Sequence, residues 1–268
     1  MSFHKLIRDK LLCYQSDHLT SNHGFTTRYG GVSTGYLSSM NLGIRKGDTE
    51  ENIQENYRIL GDAIGFDPKK TVFTVQVHRD DIRNVTENDW GKGLMTKTDY
   101  EADGLITNVP GTALFVFSAD CGTVLLEDPV TGAVGACHAG WRGTALGIAG
   151  KTAREMAEKF GCDPKNIRAA LGPCISKCCF ETDSDVPEAM IAALGDDALP
   201  AIMKTGEKYH VDLKYLNKRF LMKAGVPEEN IDVISLCTCC DPETFWSHRK
   251  HKDQRGSIGA VIVAGETP

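Results

Sequence analysis

The chain has 268 residues, of which 41% are hydrophobic and 25% charged, and its formal net charge is −6 at pH 7. This balance predicts a folded globular protein with a sizeable core, and the lack of a basic stripe excludes nucleic acid as an expected partner. No segment has the pattern of a signal peptide or the apolar length of a membrane span, so we expect no membrane partner and a cytoplasmic location. Ten cysteines in such a chain are typical of reduced thiols, some of them free to bind metal.

The first half of the chain predicts strands, a structured loop and one clear helix. Residues 23–47 are rich in Gly, Ser and Thr and predict a strand followed by a loop. Asp48 begins a capping-box pattern, and apolar residues then recur at helical spacing up to Gly65, where we expect the helix to end. The segment TVFTVQVH predicts a strand that carries His78 at its end.

Two later apolar runs predict buried strands with reactive residues at their ends. GTALFVFSADC delivers Asp120 and Cys121, and AVGACHAGW delivers His138 before a glycine turn. A helix is predicted over residues 144–160, ended by Gly161. The rest alternates between strand and helix patterns: NIRAALG, SDVPEAMIAALG, DLKYLNKRFLMKAG, IDVISLC and SIGAVIVAG. This alternation, with no repeat or linker, predicts a mixed α/β fold in a single domain over residues 1–268.

Three strand ends therefore present His78, Cys121 and His138. Imidazole and thiolate ligands together suit Zn²⁺, and three protein ligands leave one tetrahedral position for water or substrate, as in catalytic zinc sites. The residues alone leave an alternative, because these three positions have no diagnostic local spacing and both residue types are often buried in cores.

A series of motifs extends over nearly the whole chain: HGFTTRYGGVSTG, MNLG, QVH, ADGLIT, SADC, HAGWRG, LGPCI, CCFE and the terminal FWSHR. In this order they resemble the bacterial family first called multicopper polyphenol oxidoreductase or laccase-domain proteins, now regarded as purine nucleoside phosphorylases. The resemblance implies a layered α-β-β-α fold akin to the catalytic domains of cytotoxic necrotising factors. It also implies a zinc site formed by His78, Cys121 and His138, which copper can also occupy.

The resemblance implies further site residues. Asn41 in SSMNLG corresponds to a position near the active site, and Arg58 in ENYRIL resembles a phosphate-binding arginine, although a solvated charge on a helix face is the alternative. Asp120 is a candidate acid or base beside the cysteine ligand, whereas strand alternation would turn it to the opposite side. Near the C-terminus the chain departs from the family pattern, since Arg255 lies two positions before the place where an arginine is common.

Three other features stay open. Trp141 and Arg142 of HAGWRG can contact a purine and phosphate or can brace the turn. Cys137 is expected to be a buried neutral thiol. The cysteines of GPCISKCCFE and LCTCCDPE can form a second, thiolate-only metal site, or they can be plain thiols, as family members often have cysteines there without using them as ligands.

The function that the resemblance implies is phosphorolysis of adenosine or inosine to the free base and ribose 1-phosphate. Adenosine deamination and cleavage of 5′-methylthioadenosine are related activities, the expected partners are a small nucleoside and phosphate, and the oligomeric state is open. The first alternative is a copper-dependent polyphenol oxidase, but the chain has eight histidines and no His-x-His pair for a multicopper centre. The second is a Cys–His amide hydrolase that acts on peptidoglycan precursors.

Overall fold

The computed structural model describes residues 3–44 and 46–265. The strands within these residues are β1 Phe3–Arg8, β2 Leu11–Ser16, β3 His23–Thr26, β4 Thr71–Val72, β5 Ile82–Asn84, β6 Gly104–Thr107, β7 Ala113–Ser118, β8 Gly122–Glu127, β9 Val134–Ala139, β10 Arg168–Leu171, β11 Glu181–Thr182, β12 Ile202–Thr205, β13 Lys208–Val211, β14 Ile231–Val233 and β15 Ile258–Val263. The α-helices are α1 Glu50–Ile64, α2 Trp141–Ala145, α3 Ile148–Phe160, α4 Asp185–Leu194, α5 Leu213–Lys223 and α6 His248–His251. The prediction of a mixed α/β fold is confirmed.

Most strands belong to two six-stranded sheets. The first has the order β1-β2-β3-β15-β7-β4, and the second has the order β14-β10-β8-β9-β6-β5. Both are largely antiparallel, with parallel pairs between β4 and β7, between β5 and β6, and between β10 and β14. The chain crosses from the first sheet to the second twice near the site, after β4 and after β7.

A shared apolar cluster lies between the two sheets. Phe25, Val116 and Ile262 of the first sheet and Leu125 and Ala136 of the second belong to it, and all are nearly fully buried. Strands buried on both faces lose the simple in–out alternation, which is why the runs that form β7, β9 and β15 are almost continuously apolar. The two sheets therefore stabilise each other through one core.

Helices cover the other face of each sheet. Helix α1 packs Tyr57 and Leu60 against Phe115 of the first sheet, and burial of a leucine of this kind contributes about 1.5–3 kcal/mol. On the second sheet, α3 and α5 supply Met156 and Leu221 to a separate cluster. A fourth cluster joins α4 and α5 to the small antiparallel sheet β11-β13-β12.

The structure corrects three local predictions. TVFTVQVH forms a strand only over Thr71–Val72, because the chain then leaves the first sheet and the amide of Gln76 pairs with the main chain of Phe117. The N-cap of α1 is Thr49 rather than Asp48, since the Thr49 hydroxyl accepts the N–H of Asn52.

The third correction concerns the helix predicted over residues 144–160. It starts earlier, at Trp141, and is divided into α2 and α3 by Gly147, whose φ of 75° is left-handed. The predicted end at Gly161 is confirmed, because this glycine is also left-handed and donates its N–H to the carbonyl of Ala157.

None of the helices within residues 3–44 and 46–265 combines the length and apolar content needed to cross a membrane.

Candidate metal centre

Strand register brings Cys121 next to the end of β9. In the antiparallel pair of β8 and β9, Gly122 faces Ala139 and Thr123 faces His138. Cys121, one residue before β8, therefore lies beside Gly140, and the His138 side chain is its near neighbour. Cys121 occupies the connection on which the chain passes from the first sheet to the second.

Asp103 fixes the position of His138. It precedes β6, whose Gly104 faces Cys137 of β9, and its carbonyl accepts the N–H of His138 at 2.8 Å. Its carboxylate also contacts the Nδ1 of His138 at 2.8 Å and is itself buried. This contact leaves Nε2 of the imidazole free for a ligand role, an arrangement typical of metal-binding histidines.

The same carboxylate fixes His78. It accepts the main-chain N–H groups of Val77, His78 and Arg79 at 2.9–3.0 Å. Successive amides that converge on one anion form a nest, which here includes a left-handed residue, since the φ of His78 is 62°. Asp103 therefore orients two histidines of the predicted site at once.

The three predicted ligand side chains meet. One ligand atom from each of His78, Cys121 and His138 lies within 4.8 Å of the others. The two imidazole rings are nearly perpendicular, with centroids 4.9 Å apart, and the site runs from exposed His78 to buried His138. We call this group the triad. It can hold one metal ion, and the mixture of imidazole and thiolate donors suits zinc or copper.

The triad is electrostatically coupled without any metal. Burial alone would raise the pKa of the Cys121 thiol, but the charges and hydrogen bonds of His138 and His78 lower it to about 6. Burial alone would lower the pKa of His138, but Cys121 and Asp103 raise it to about 9. Between these values Cys121 is a thiolate, which is the form that binds metals.

Gly140 explains part of the glycine-rich sequence after His138. A Cβ atom there would lie 3.1 Å from Cδ2 of His78 and 3.2 Å from Sγ of Cys121, closer than such contacts normally are. A larger residue at this position would therefore displace the triad. Gly143 is also close to its surroundings, since a Cβ there would lie 3.1 Å from the carbonyl oxygen of Arg79.

A cavity of about 350 Å³ opens over the triad, and all three triad residues line it. This volume is within the range of small-molecule sites. Its walls include three cationic side chains, Lys46, Lys97 and Arg255, and an apolar side with Phe73 and Phe117. Arg255 is close enough to Lys46 for its charge to add to the effect of burial, and together they lower the pKa of that lysine.

Asn41 lies behind the cavity wall. It is fully buried, and its Oδ1 accepts the N–H groups of Gly43 at 2.9 Å and Ser257 at 3.1 Å. Both of those residues line the cavity, whereas Asn41 does not. The structure thus places Asn41 as a residue that positions two wall segments.

The structure does not bring Asp120 to the cavity. Its buried carboxylate accepts from the hydroxyls of Thr238 and Ser247 and from the N–H of Arg249, at 2.6–3.0 Å. Its φ of 92° turns the chain before Cys121. These contacts tie the crossing between the sheets to the C-terminal segment and do not favour the predicted role as acid or base.

Arg58 is also away from the cavity lining. It lies on the exposed side of α1, where its guanidinium contacts Glu55 at 2.7 Å and Asp62 at 2.6 Å. This is the alternative that the sequence left open, a solvated charge on a helix face. The predicted phosphate contact would require Arg58 to leave both carboxylates.

The other residues of HAGWRG do not line the cavity either. The guanidinium of Arg142 stacks over Trp141 at 4.2 Å, and Trp141 packs against the cluster of α4 and α5. Cys137 is fully buried, and burial raises the pKa of its thiol to about 12. It is therefore a neutral core residue, as expected.

Sequence reasoning missed Asp103, Lys46 and Lys97, and it assigned no role to Arg255. In the sequence Asp103 is only one letter of the motif ADGLIT. Its role in orienting the two histidines depends on contacts with His138 and with the amides of residues 77–79, which the sequence does not show. Arg255 is displaced by two positions from the family pattern but still reaches the cavity. Lys46 and Lys97 are in polar segments with no pattern that distinguishes them from surface lysines.

Residues 22–265 match the family model described as multi-copper polyphenol oxidoreductase laccase. The chain belongs to this family. The family resemblance of the motifs is thereby confirmed.

Named relatives of this family member are similar over most of their length. Purine nucleoside phosphorylase YlmD of Bacillus subtilis is 36% identical over 241 residues, which cover 89% of this chain and 87% of the relative. Purine nucleoside phosphorylase YfiH of Escherichia coli is 37% identical over 227 residues, which cover 85% and 87%. The crystal structure of the Bacillus licheniformis hypothetical protein YfiH has a TM-score of 0.91 at 34% identity, covering 97% of this chain and 98% of that one. These similarities support an enzyme of the purine nucleoside phosphorylase kind.

Proposed function

We propose that the protein is a zinc-dependent phosphorylase that cleaves adenosine or inosine with phosphate. The observation that carries this proposal is that the triad opens into the same cavity as Lys46, Lys97 and Arg255. An anionic co-substrate and a neutral nucleoside need such a combination of cations, apolar wall and reactive centre. The names of relatives at 36% and 37% identity support the same activity.

Each part of the cavity has a proposed task. Arg255 and the two lysines bind phosphate through charge-assisted hydrogen bonds. The apolar side with Phe73 and Phe117 accepts the purine, because aromatic rings pack well against a flat base. This arrangement holds the ribose between the base and the phosphate, and it replaces Arg58 by Arg255 as the proposed phosphate-binding arginine.

The reaction is a substitution at the anomeric carbon of the ribose. A phosphate oxygen forms a bond to C1′, the bond from C1′ to N9 of the purine breaks, and N9 keeps the electron pair and takes up a proton. The cations orient the phosphate for attack, and the walls exclude competing water. When bound to the triad, zinc supplies Lewis-acid stabilisation of negative charge. Asp103 keeps His138 in the orientation that such a role requires.

Two related activities extend the proposal. Deamination of adenosine would replace the amino group at C6 by a water-derived oxygen and release ammonia, and a metal site with an open position is suited to it. Phosphorolysis of 5′-methylthioadenosine would use the same phosphate contacts. We also propose a layered α-β-β-α arrangement like that of the necrotising factors, in a single domain, which is supported by the packing of α1 on one sheet and of α3 and α5 on the other.

The compartment belongs to the proposal as well. None of the ten cysteines forms a disulfide, which supports a reducing, cytoplasmic location.

The two alternative functions are less well supported. Within the described residues, only the triad and one group of cysteines bring together three or more potential ligands from His, Cys, Asp and Glu, so a trinuclear copper centre lacks its histidines. A Cys–His hydrolase would use Cys121 and His138 with Asp103 as the orienting residue. His78 has no task in that chemistry, whereas it completes a metal site.

Product analysis tests the proposal. Purified protein of known metal content is incubated with adenosine, with and without phosphate, and the products are separated by liquid chromatography. We expect adenine and ribose 1-phosphate only when phosphate is present, and inosine in both reactions if deamination also occurs. If zinc-loaded protein forms neither product, the nucleoside proposal is wrong. Hydrolysis of a peptidoglycan-precursor amide by metal-free His78→Ala would favour the Cys–His hydrolase.

A further inference from the structure

Four cysteine side chains, two of them exposed and one buried, meet outside the cavity lining. Cys178 and Cys179 belong to the segment after β10, and Cys237 and Cys240 belong to the segment after β14. All four sulfur atoms lie within 4.8 Å of one another, and we call this group the cysteine cluster. It has no part in the proposed reaction.

The fold brings the two segments together. β10 and β14 are adjacent and parallel, so the chain leaves both strands at the same edge of the second sheet. A bridge between Cys174 and Cys237 continues this pairing, and the N–H of Thr238 donates to the carbonyl of Cys174 at 3.2 Å. The meeting of the four thiols therefore follows from the strand order.

The sulfur separations match a single metal ion. Cys240 Sγ lies 3.5 Å from Cys178 Sγ and 3.4 Å from Cys179 Sγ, and the two neighbouring cysteines are 3.8 Å apart. Four sulfurs at about 2.3 Å from a tetrahedral zinc lie roughly 3.8 Å from each other. A multi-iron cluster distributes its four thiolates over two or four irons and would hold some of the sulfurs farther apart.

Polar contacts support one thiolate of the cysteine cluster and hold its two segments together. The N–H of Ser176 donates to Cys237 Sγ at 3.3 Å, a contact that stabilises a thiolate. The ammonium of buried Lys214 joins the two segments through Ser176 Oγ and the carbonyl of Leu236. The guanidinium of Arg249 contacts the carbonyl of Cys179 at 3.1 Å. Lys214 and Arg249 thus bind main-chain carbonyls of residues that flank or belong to the cysteine cluster.

We propose that the cysteine cluster binds one zinc ion through four thiolates and joins the two segments as a structural site. Binding releases the thiol protons to the solvent, and four protein ligands leave no open position for a substrate. Cys178 and Cys240 are exposed, so the metal is accessible to chelators. The site is independent of the triad and of the proposed function.

Metal counting tests this proposal. Zinc and other metals are measured by mass spectrometry in the wild-type protein, in the double variant Cys178→Ser/Cys240→Ser and in the control Cys162→Ala. Cys162 is a buried thiol outside both ligand groups. We expect the double variant to contain one zinc per chain less than the wild type, and the control to contain as much as the wild type. Equal zinc in the wild type and the double variant would overturn the proposal.

A second measurement avoids the question of whether the double variant folds. His78→Ala leaves the cysteine cluster intact, and X-ray absorption at the zinc edge reports the remaining ligands. We expect a shell of four sulfurs at about 2.3 Å. A shell that contains nitrogen or oxygen, iron in place of zinc, or a disulfide between these cysteines in freshly purified metal-free protein would each contradict a structural zinc site.

Discussion

The triad and the cysteine cluster are both groups of close metal-ligand side chains, but they are built differently. The triad combines two imidazoles with one thiolate, and it lines a cavity. The cysteine cluster has four thiols, two of them exposed, and none of its residues lines that cavity. Three ligands beside a cavity leave room for a substrate, whereas four thiolates complete a tetrahedron.

The two groups also differ in what orients them. A buried carboxylate, Asp103, holds both histidines of the triad, whereas the cysteine cluster depends mainly on main-chain turns and a bridge between two segments. One substitution at Asp103 removes the side-chain support of both histidines. The difference therefore predicts which substitutions reduce activity and which reduce only stability.

Loss of a triad ligand has the largest expected effect on activity. Cys121→Ala removes the only thiolate of the triad, and we expect phosphorolysis to fall by about 10³-fold, since metal stabilisation is worth several kcal/mol in the transition state. Initial rates with inosine and phosphate measure the change. Cys162→Ala, which removes a buried thiol elsewhere, is the control. Retention of more than a tenth of the activity by Cys121→Ala would show that the triad is not the reactive centre.

Loss of the carboxylate that orients the histidines comes next. Asp103→Asn keeps the size of the side chain but removes its charge, and we expect zinc affinity at the triad to fall by about 10- to 100-fold. Competition with a chromophoric chelator, carried out in the Cys178→Ser/Cys240→Ser background, measures this affinity. Asp89→Asn is a matched control, because Asp89 is also buried and binds a main-chain amide outside the triad. An unchanged zinc affinity in Asp103→Asn would show that the Asp103 charge does not support the triad.

Arg255 and Arg58 compete for the role of phosphate-binding arginine. We expect Arg255→Gln to raise the KM for phosphate by about tenfold, because one charge-assisted hydrogen bond is lost. Arg58→Gln is expected to change it by less than about twofold, since Arg58 contacts only Glu55 and Asp62 in the described contacts. Steady-state kinetics with phosphate as the varied substrate separate the two. A larger rise of the KM for phosphate in Arg58→Gln than in Arg255→Gln would instead support Arg58 as the phosphate-binding arginine.

Disruption of the cysteine cluster has the smallest expected effect on catalysis. Cys178→Ser/Cys240→Ser should leave kcat within about twofold of the wild type and lower the Tm by roughly 5–10 °C, as expected when a cross-link between two segments is lost. Scanning calorimetry and product assays on the same sample measure both quantities. A large loss of kcat with unchanged Tm would reverse the roles assigned to the two ligand groups.

The strands show where sequence reasoning about the fold succeeds and where it fails. The continuous apolar runs of β7, β9 and β15 were predictable, because strands between two layers bury both faces. The strand expected over TVFTVQVH was not, since its alternating pattern fits a strand but Gln76 pairs with Phe117 through its side chain. That contact joins residues 41 positions apart, and no local pattern encodes it.

The candidate site divides in the same way. The three triad residues were predicted by residue type and by family resemblance, and the structure brings them together. The hydrogen-bond partners of Asp103 and Asp120 could not be predicted from the sequence, because each carboxylate accepts hydrogen bonds from distant segments. One binds the amides before β5 and the other binds residues around α6. Residue type alone suggested an acid or base role for Asp120, whereas the tertiary contacts show that Asp103 orients the two histidines.

The amide nest around Asp103 also bears on when the triad forms during synthesis. His78 is made 25 residues before Asp103, and His138 is made 35 residues after it. The left-handed turn at His78 is unfavourable on its own and gains its support only when the carboxylate is in place. We therefore expect the triad to be completed only after β6 and β9 have paired, so that the proposed zinc ion would enter an already folded protein. If the triad holds the proposed zinc, chains made without zinc would then be inactive and would gain activity once the metal is supplied.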